Sequence, residues 1–319
     1  MRNAFAQQLT ELAEQDERIV LLSGDIGNRL FDAFKQRCPG RFFNCGVAEA
    51  NMMSMAAGLA MSGMRPVVYT ITPFVTTRCL EQIRVDVCYH DVPVVIVGVG
   101  GGLAYASLGA THHSCEDIGF LRLLPGMAVV CPGDAMETRA ALQAALQVSY
   151  PVYLRLGKKG EPVVHPEPPP LQLGRAIVIS EGSDLTLIST GNMLPLVVEV
   201  AQQLGDAGLS AAVVSMHTVK PLDEALLAAR FTGSQLVVTV EEHGRLGGLG
   251  GAVAEWLSDW RLEASAPPAQ LLRIGTDDEF LHQAGGQAHA RKCYAIDTDS
   301  IVAQVRAALQ QANSEQAGS

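Results

Sequence analysis

Two rhythms of apolar residues alternate along the first half of the chain. Short, β-branched runs recur: "RIVLLSG" (18–24), "RPVVYTI" (65–71), "VPVVIVGV" (92–99), "MAVVCP" (127–132) and "PVYLRL" (151–156). Apolar runs of this length predict strands buried on both faces. Between them the apolar positions follow helical spacing. In "TRCLEQIRVDVCYH" (77–90), Leu80, Ile83 and Val87 fall on one face, and "DAMETRAALQAALQVS" (134–149) opens on Asp134, a good N-cap. Strands alternating with amphipathic helices predict an α/β fold with a largely parallel sheet covered on both faces.

The alternation stops at "GEPVVHPEPPPLQLG" (160–174), where five prolines in fifteen residues predict a stiff, extended linker. It then resumes, with strands at 176–180, 185–190, 211–216, 235–242 and 270–275 and helices near 193–205, 221–230, 248–260 and 298–311. The pattern predicts two open α/β domains with parallel or mixed sheets. The first covers 1–160 and the second 175–311, with a linker at 161–174 and a disordered tail at 312–319.

Composition narrows the function classes. The chain has 319 residues, 48% hydrophobic and 18% charged, which suits a folded protein with two cores. Its net charge of −10 argues against nucleic-acid binding, which needs a basic face. The apolar runs fall short of the roughly 18 residues of a membrane span. The amphipathic, acid-bearing start "MRNAFAQQLTELAEQDER" reads as a helix and not a signal peptide. Seven cysteines, an odd number without a CxxC pair, read as reduced and mostly buried thiols, with no zinc site expected. Together these predict a cytoplasmic protein without a membrane or nucleic-acid partner.

Four stretches are candidates for chemistry. In "FNCGVAEANMMSMAAGLAMSGM" (43–64), Glu49 is the only charged residue between Arg41 and Arg65. An acid at a helix start interacts well with the helix dipole. Set in an apolar wall, a carboxyl group also favours its protonated form and can exchange a proton with a bound heterocycle. "LGATHHSCEDIGFLR" (108–122) places His112 and His113 beyond a buried strand, where ligands of open α/β sheets bind. Adjacent residues face different ways, so at most one of the two is expected to point at a ligand. The plainer reading of this stretch is loop histidines with Ser114 capping a helix whose first turn holds Glu116 and Asp117. In "YTITPFVTTR" (69–78), Phe74 at a strand end either joins the core or offers a ring face to a planar ligand. "SGDIGNRL" (23–30) reads as a turn after the first strand, not as half of a metal–diphosphate motif. The Gly-rich "GRLGGLGGAVAEW" (244–256) suits a turn into a closely packed helix and is weak evidence for a nucleotide.

In this order the stretches resemble the C-terminal half of transketolases and of 1-deoxyxylulose-5-phosphate synthases, over roughly residues 1–310. "RFFNCGVAEANMMSMAAGLAMSG", "PVVYTITPF", "GATHHSCEDIGFLRLLPGM", "VKPLDEALL" and "VVTVEEHGRLGGLGGAVAE" carry the likeness. The resemblance implies a pyrimidine-binding domain followed by a transketolase C-terminal domain, and thiamine diphosphate as cofactor. It implies that Glu49 hydrogen-bonds the cofactor's pyrimidine nitrogen and shares a proton with it, that Phe74 stacks on that ring, and that Asp25 lies near the cofactor. It further implies that His112 reaches the reacting intermediate and that Arg155 binds a substrate phosphate or other anion. The family's G-D-G…N segment, which holds Mg2+ and the diphosphate, has no counterpart in this sequence. A large partner subunit is therefore expected to supply it, in a heterotetramer of two small and two large chains.

Two positions depart from the family pattern. Leu108 stands where transketolases have an acid that reads a sugar hydroxyl, and Gly100 or Gly101 stands where a basic residue helps to grip phosphate. Ketol transfer from a ketose to an aldose is the first reading, with an unusual or less phosphorylated sugar. Lys158 or Lys159 is a candidate replacement for the lost charge. The alternatives are the β subunit of a 2-oxo acid dehydrogenase decarboxylase, a deoxyxylulose-phosphate-type condensation, and a non-catalytic scaffold.

Overall fold

The structure, a computed structural model, describes residues 1–27, 29–262 and 267–317. Among these residues the strands form two sheets. The first has seven strands in the order β10-β5-β6-β4-β3-β1-β2. It is built from β1 (Ile19–Ser23), β2 (Phe42–Asn44), β3 (Arg65–Ile71), β4 (Val95–Val99), β5 (Ala128–Val130) and β6 (Val152–Leu156), all paired in parallel. Its last member, β10 (Thr218–Lys220), comes from the second half of the chain and runs antiparallel to β5. The second sheet holds β7 (Ile177–Ser180), β8 (Leu185–Ser189), β9 (Ala211–Ser215), β11 (Leu236–Gly244) and β12 (Gln270–Thr276), in the order β12-β11-β8-β9-β7. Its pairs are parallel except β7 with β9. The expected parallel-to-mixed α/β architecture is therefore present.

Strands β1, β4 and β6 are buried along their whole length, which their unbroken apolar runs require. One face of the first sheet is covered by α1 (Arg2–Gln15), α2 (Asp32–Arg37) and α7 (Ala135–Gln147), through Phe5, Leu9, Phe34 and Leu142. The other face carries α3 (Glu49–Met61), α4 (Thr72–Val75), α5 (Leu80–Gln82) and α6 (Asp117–Arg122), through Met52, Met53, Val75, Leu80 and Leu121. That second core does not stop at the first sheet. It continues through Phe231 of α9 (Glu224–Gly233), Val237 of β11 and Leu249 of α10 (Leu249–Trp260). On the far face of the second sheet lie α8 (Leu194–Asp206), α11 (Gln287–Cys293) and α12 (Thr298–Ala317). One hydrophobic core thus spans both halves and fixes one against the other.

Several local expectations change. Residues 77–90 are helical but not one α-helix: a 3-10 turn (Thr77–Cys79) leads into α5 and then a π-helix (Ile83–Tyr89). Ser114 does not cap α6; its backbone pairs with Gly102 in an isolated bridge, and α6 starts at Asp117 after Glu116. Helix α12 runs to Ala317, through most of the segment expected to be disordered; residues 318–319 lie outside the described residues. Asp134 does cap α7, its Oδ1 accepting from the Met136 and Glu137 amides. Its Oδ2 takes the Val164 and His165 amides of the proline-rich connection, so one carboxylate starts a helix and pins the linker. Burial works to raise this group, but the His165 side chain and the amides outweigh it and hold Asp134 at about 2.

Candidate functional site at the strand ends of the first sheet

Parallel strands bring their carboxyl ends to one edge of the sheet, and α3, α4 and the loop after β4 start there. Glu49 is the first residue of α3 and its side chain is 1% exposed. Gly24, at the end of β1, leaves room for it, since a Cβ there would lie 3.4 Å from Glu49 Cγ and 3.1 Å from Thr70 Oγ1. The carboxylate is not surrounded by apolar groups alone. Arg78 Nη1 donates to Glu49 Oε2 at 2.8 Å.

Arg78 lies four residues after Phe74, and its guanidinium carbon sits 4.2 Å from the Phe74 ring centroid. His112 packs edge-on to the same ring, centroids 5.3 Å apart. Tyr105 lies 6.2 Å beyond His112, and Lys158 Nζ stands 4.5 Å from the Tyr105 centroid. Glu49, Arg78, Phe74, His112, Tyr105 and Lys158 therefore form one continuous row across the strand ends. The adjacent histidines divide as their spacing requires: His112 joins the row, while His113 is buried and its Nε2 meets the Ala106 carbonyl at 3.2 Å.

Asp25 lies just beyond β1, exposed, with φ of 56° and its carboxylate accepting from Asn44 Nδ2 at 2.8 Å. Short polar side chains tolerate this left-handed conformation better than others do. Asp25 stands beside the row and is not part of it.

Arg155 is placed differently from the expectation of an anion-binding residue. It is 4% exposed on β6, and Nε donates to Asp117 Oδ2 at 2.8 Å. Its Nη2 reaches the Ser114 carbonyl at 2.9 Å and the Glu242 carbonyl at 3.0 Å. Burial works to raise Asp117, but the Arg155 charge, with the hydrogen bonds from Arg155 and Tyr153 among the other causes, outweighs it and holds the carboxyl below its usual range. Arg155 thus ties the first sheet to β11 and has no face turned to solvent. The missing basic residue at 100 or 101 has the same cause. A Cβ on Gly100 would fall 2.0 Å from the Tyr105 ring, and one on Gly101 would fall 2.7 Å from Arg155 Nε. The sequence did hold a clue, because "VYLRL" surrounds this arginine with core residues.

At the second sheet, the two glutamates near the end of β11 are bonded from within the chain. Glu241 sends Oε2 to the Leu249 amide and Oε1 to the Gly250 amide, at 2.7 and 2.8 Å, at the start of α10. This carboxylate occupies the place at the Gly-rich turn where a phosphate binds in nucleotide folds. A Cβ on Gly248 would lie 2.0 Å from it. Glu242, also buried, accepts from the Leu103 amide (2.8 Å), Asn192 Nδ2 (3.2 Å), Gln287 Nε2 (2.9 Å) and Arg291 Nε.

Sequence reasoning missed Arg78 and Tyr105. The i, i+4 spacing from Phe74 was the available signal for Arg78. No such spacing marks Tyr105, which a loop brings in. Among the described residues, no group of three or more His, Cys, Asp or Glu is placed to hold a metal ion, and no helix is long and apolar enough to cross a membrane. All seven cysteines are free; Cys38, Cys79, Cys88 and Cys131 are buried.

Comparison with known proteins agrees with this geometry. The family model for the transketolase pyrimidine-binding domain matches residues 1–161, and that for the transketolase C-terminal domain matches 174–301. The chain is 38% identical to one of the subunits of an apulose-4-phosphate transketolase from Phocaeicola vulgatus, over 94% of each protein. It is 36% identical to the SqwH subunit of a 6-deoxy-6-sulfo-D-fructose transketolase from Clostridium sp. strain MSTE9, covering 95% of this chain and 92% of that one. Among solved structures, a split-gene transketolase in an inactive β4 tetramer superposes with a TM-score of 0.86 at 35% identity, over 97% of each chain. The chain belongs to the transketolase family.

Proposed function

We propose that this chain is the small subunit of a split, thiamine-diphosphate-dependent transketolase that moves a two-carbon ketol unit from a ketose to an aldose. One observation carries the reading. A buried carboxylate, Glu49, and a ring face, Phe74, are set so that a single flat N–H donor satisfies both. The Arg78 guanidinium, planar and hydrogen-donating, is a stand-in that supports an aminopyrimidine in the same place.

When bound, thiamine diphosphate supplies the carbon nucleophile that carries the two-carbon unit. Glu49 accepts a hydrogen bond from the pyrimidine ring and holds a proton at that nitrogen. Its position at the first residue of a 13-residue helix favours negative charge there. Phe74 fixes the plane of the ring. His112, edge-on to Phe74, faces the reacting end and exchanges protons with substrate hydroxyls. Asp25 borders the cofactor from the end of β1.

The diphosphate and Mg2+ belong to a large partner subunit, in an α2β2 heterotetramer in the cytoplasm. The outward side of α3 offers it a landing face, since Met55 and Met61 are exposed there with Val47 just before the helix. The substrate is an anionic sugar whose charged end lies toward Lys158. That direction follows the row of side chains, and the relatives named above act on a phosphosugar and a sulfosugar.

Native mass spectrometry tests this, using the chain alone and co-expressed with the product of the neighbouring reading frame. Two thiamine diphosphates per heterotetramer, bound only when both chains are present, is the expected result. A chain that binds neither partner nor cofactor returns Glu49 to a helix-start acid and brings the scaffold reading forward. Turnover requiring pyruvate in place of a ketose donor would move the assignment to the decarboxylating condensation.

A further inference from the structure

The pair formed by Arg78 and Glu49 raises a question about the free subunit. A carboxylate 1% exposed and without a partner would be strongly destabilising, so a chain not yet loaded with cofactor needs a cation there. Arg78 provides it. The same guanidinium lies over Phe74 at 4.2 Å, which is the ring face the cofactor's pyrimidine needs. Both recognition elements for the heterocycle are thus engaged by one side chain of this chain.

The occupant is suited to leaving. Arg78 is 42% exposed, so its own charge already has much of its hydration, and the cost of its leaving falls on Glu49, where the incoming heterocycle's donor offsets it. It sits on a 3-10 turn between α4 and α5, in a run that passes from α to 3-10 to α to π-helix within Thr72–Tyr89. Short changes of helical register of this kind often mark hinges. Its neighbours do not depend on it. Thr77 Oγ1 and Cys79 Sγ bond back to the Pro73 and Val75 carbonyls and hold the turn without the guanidinium.

We propose that Arg78 is a built-in plug that occupies the pyrimidine place in the cofactor-free subunit and is displaced when thiamine diphosphate enters. This rests on the cofactor reading of Glu49 and Phe74 given above. The plug keeps the buried carboxylate paired until the heterocycle replaces the guanidinium, donor for donor and plane for plane. It competes with the cofactor, so the apparent affinity falls in proportion to the fraction of chains with the plug withdrawn. A plug closed nine-tenths of the time weakens apparent affinity about tenfold.

The test is equilibrium binding of thiamine diphosphate with Mg2+ to the assembled two-subunit complex, by isothermal titration, for wild type, Arg78→Ala and Arg78→Lys. The expected result is binding about tenfold tighter for Arg78→Ala, with Arg78→Lys between, because an ammonium pairs with Glu49 but is not planar. Binding by wild type with Arg78→Ala equal or weaker overturns the plug and leaves the cofactor reading standing. No binding by wild type removes the cofactor reading and the plug with it. A second measurement uses the full chain alone, without cofactor. Thermal unfolding of Arg78→Ala, Glu49→Gln and the double variant should show coupling, with the double variant recovering the loss caused by Arg78→Ala. Strictly additive effects in that cycle overturn the proposal independently.

Discussion

The carboxyl ends of the two sheets use the same residue types for opposite ends. At the first sheet, Glu49 starts a helix and meets a half-exposed arginine. At the second, Glu241 and Glu242 end a strand and are saturated by backbone amides and buried side chains. Both edges have the geometry in which open α/β sheets bind ligands. They differ in what the acids meet: the partner of Glu49 is half exposed, whereas the partners of Glu241 and Glu242 lie inside the chain. What separates a site from a joint is therefore not the acid or its place on a helix, but whether its partner can leave.

The strongest way to break this contrast is to remove one acid at each edge. Glu49→Ala should lower turnover of the assembled enzyme by about 10²–10⁴-fold while its thermal midpoint stays near that of wild type. Near-normal turnover would end the claim that this edge is the site. Glu242→Ala should do the reverse. It strands Arg291 and three neutral donors, and urea denaturation should show a loss of about 3–5 kcal/mol. A variant as stable as wild type would mean that Glu242 is not bonded as described. Gly248→Ala drives a methyl group into the Glu241 carboxylate, and about 1–3 kcal/mol of destabilisation is expected by the same measurement.

A further effect comes from pH. Burial pushes His217 and His243 down to about 4 from the ordinary 6.5, so both stay neutral in the folded protein. The unfolded chain takes up those protons from about 6.5 downward, so the two histidines remove stability as pH drops from 6.5 toward 4, while Glu241, pushed up to about 7 by burial, works the other way. The slope is at most about 1.4 kcal/mol per pH unit for each histidine. Denaturation of wild type and His217→Phe at pH 7.5 and pH 5 isolates the His217 share, and the variant should lose less stability, or gain more, on going to pH 5. An unchanged slope would mean that His217 is charged in the fold.

The sequence made the strand ends of the first sheet legible for a simple reason. Glu49 is a lone charge in an apolar helix, and the strand before Phe74 is read by its unbroken hydrophobic run. For Arg155 the apolar run "VYLRL" hints at burial, but only the packing of α6 against β6 shows that it faces Asp117. Arg78 was passed over because an arginine on a polar turn is ordinary until the fold lays it on Phe74.

The sequence by itself determined the alternation of strands and helices, the proline-rich break, the unusual acid at 49 and the kinship. These are local signals, written in side-chain periodicity and in the conformational limits of proline and glycine. The tertiary structure alone decided that β10 crosses into the first sheet, that a single core runs through both halves, and that Glu241 fills the glycine turn. It also decided that Arg78 lies over Phe74 and pairs with Glu49. Each of these depends on contacts between residues far apart in the chain or on which partner a charge finds in space, and neither is written in the spacing of neighbours.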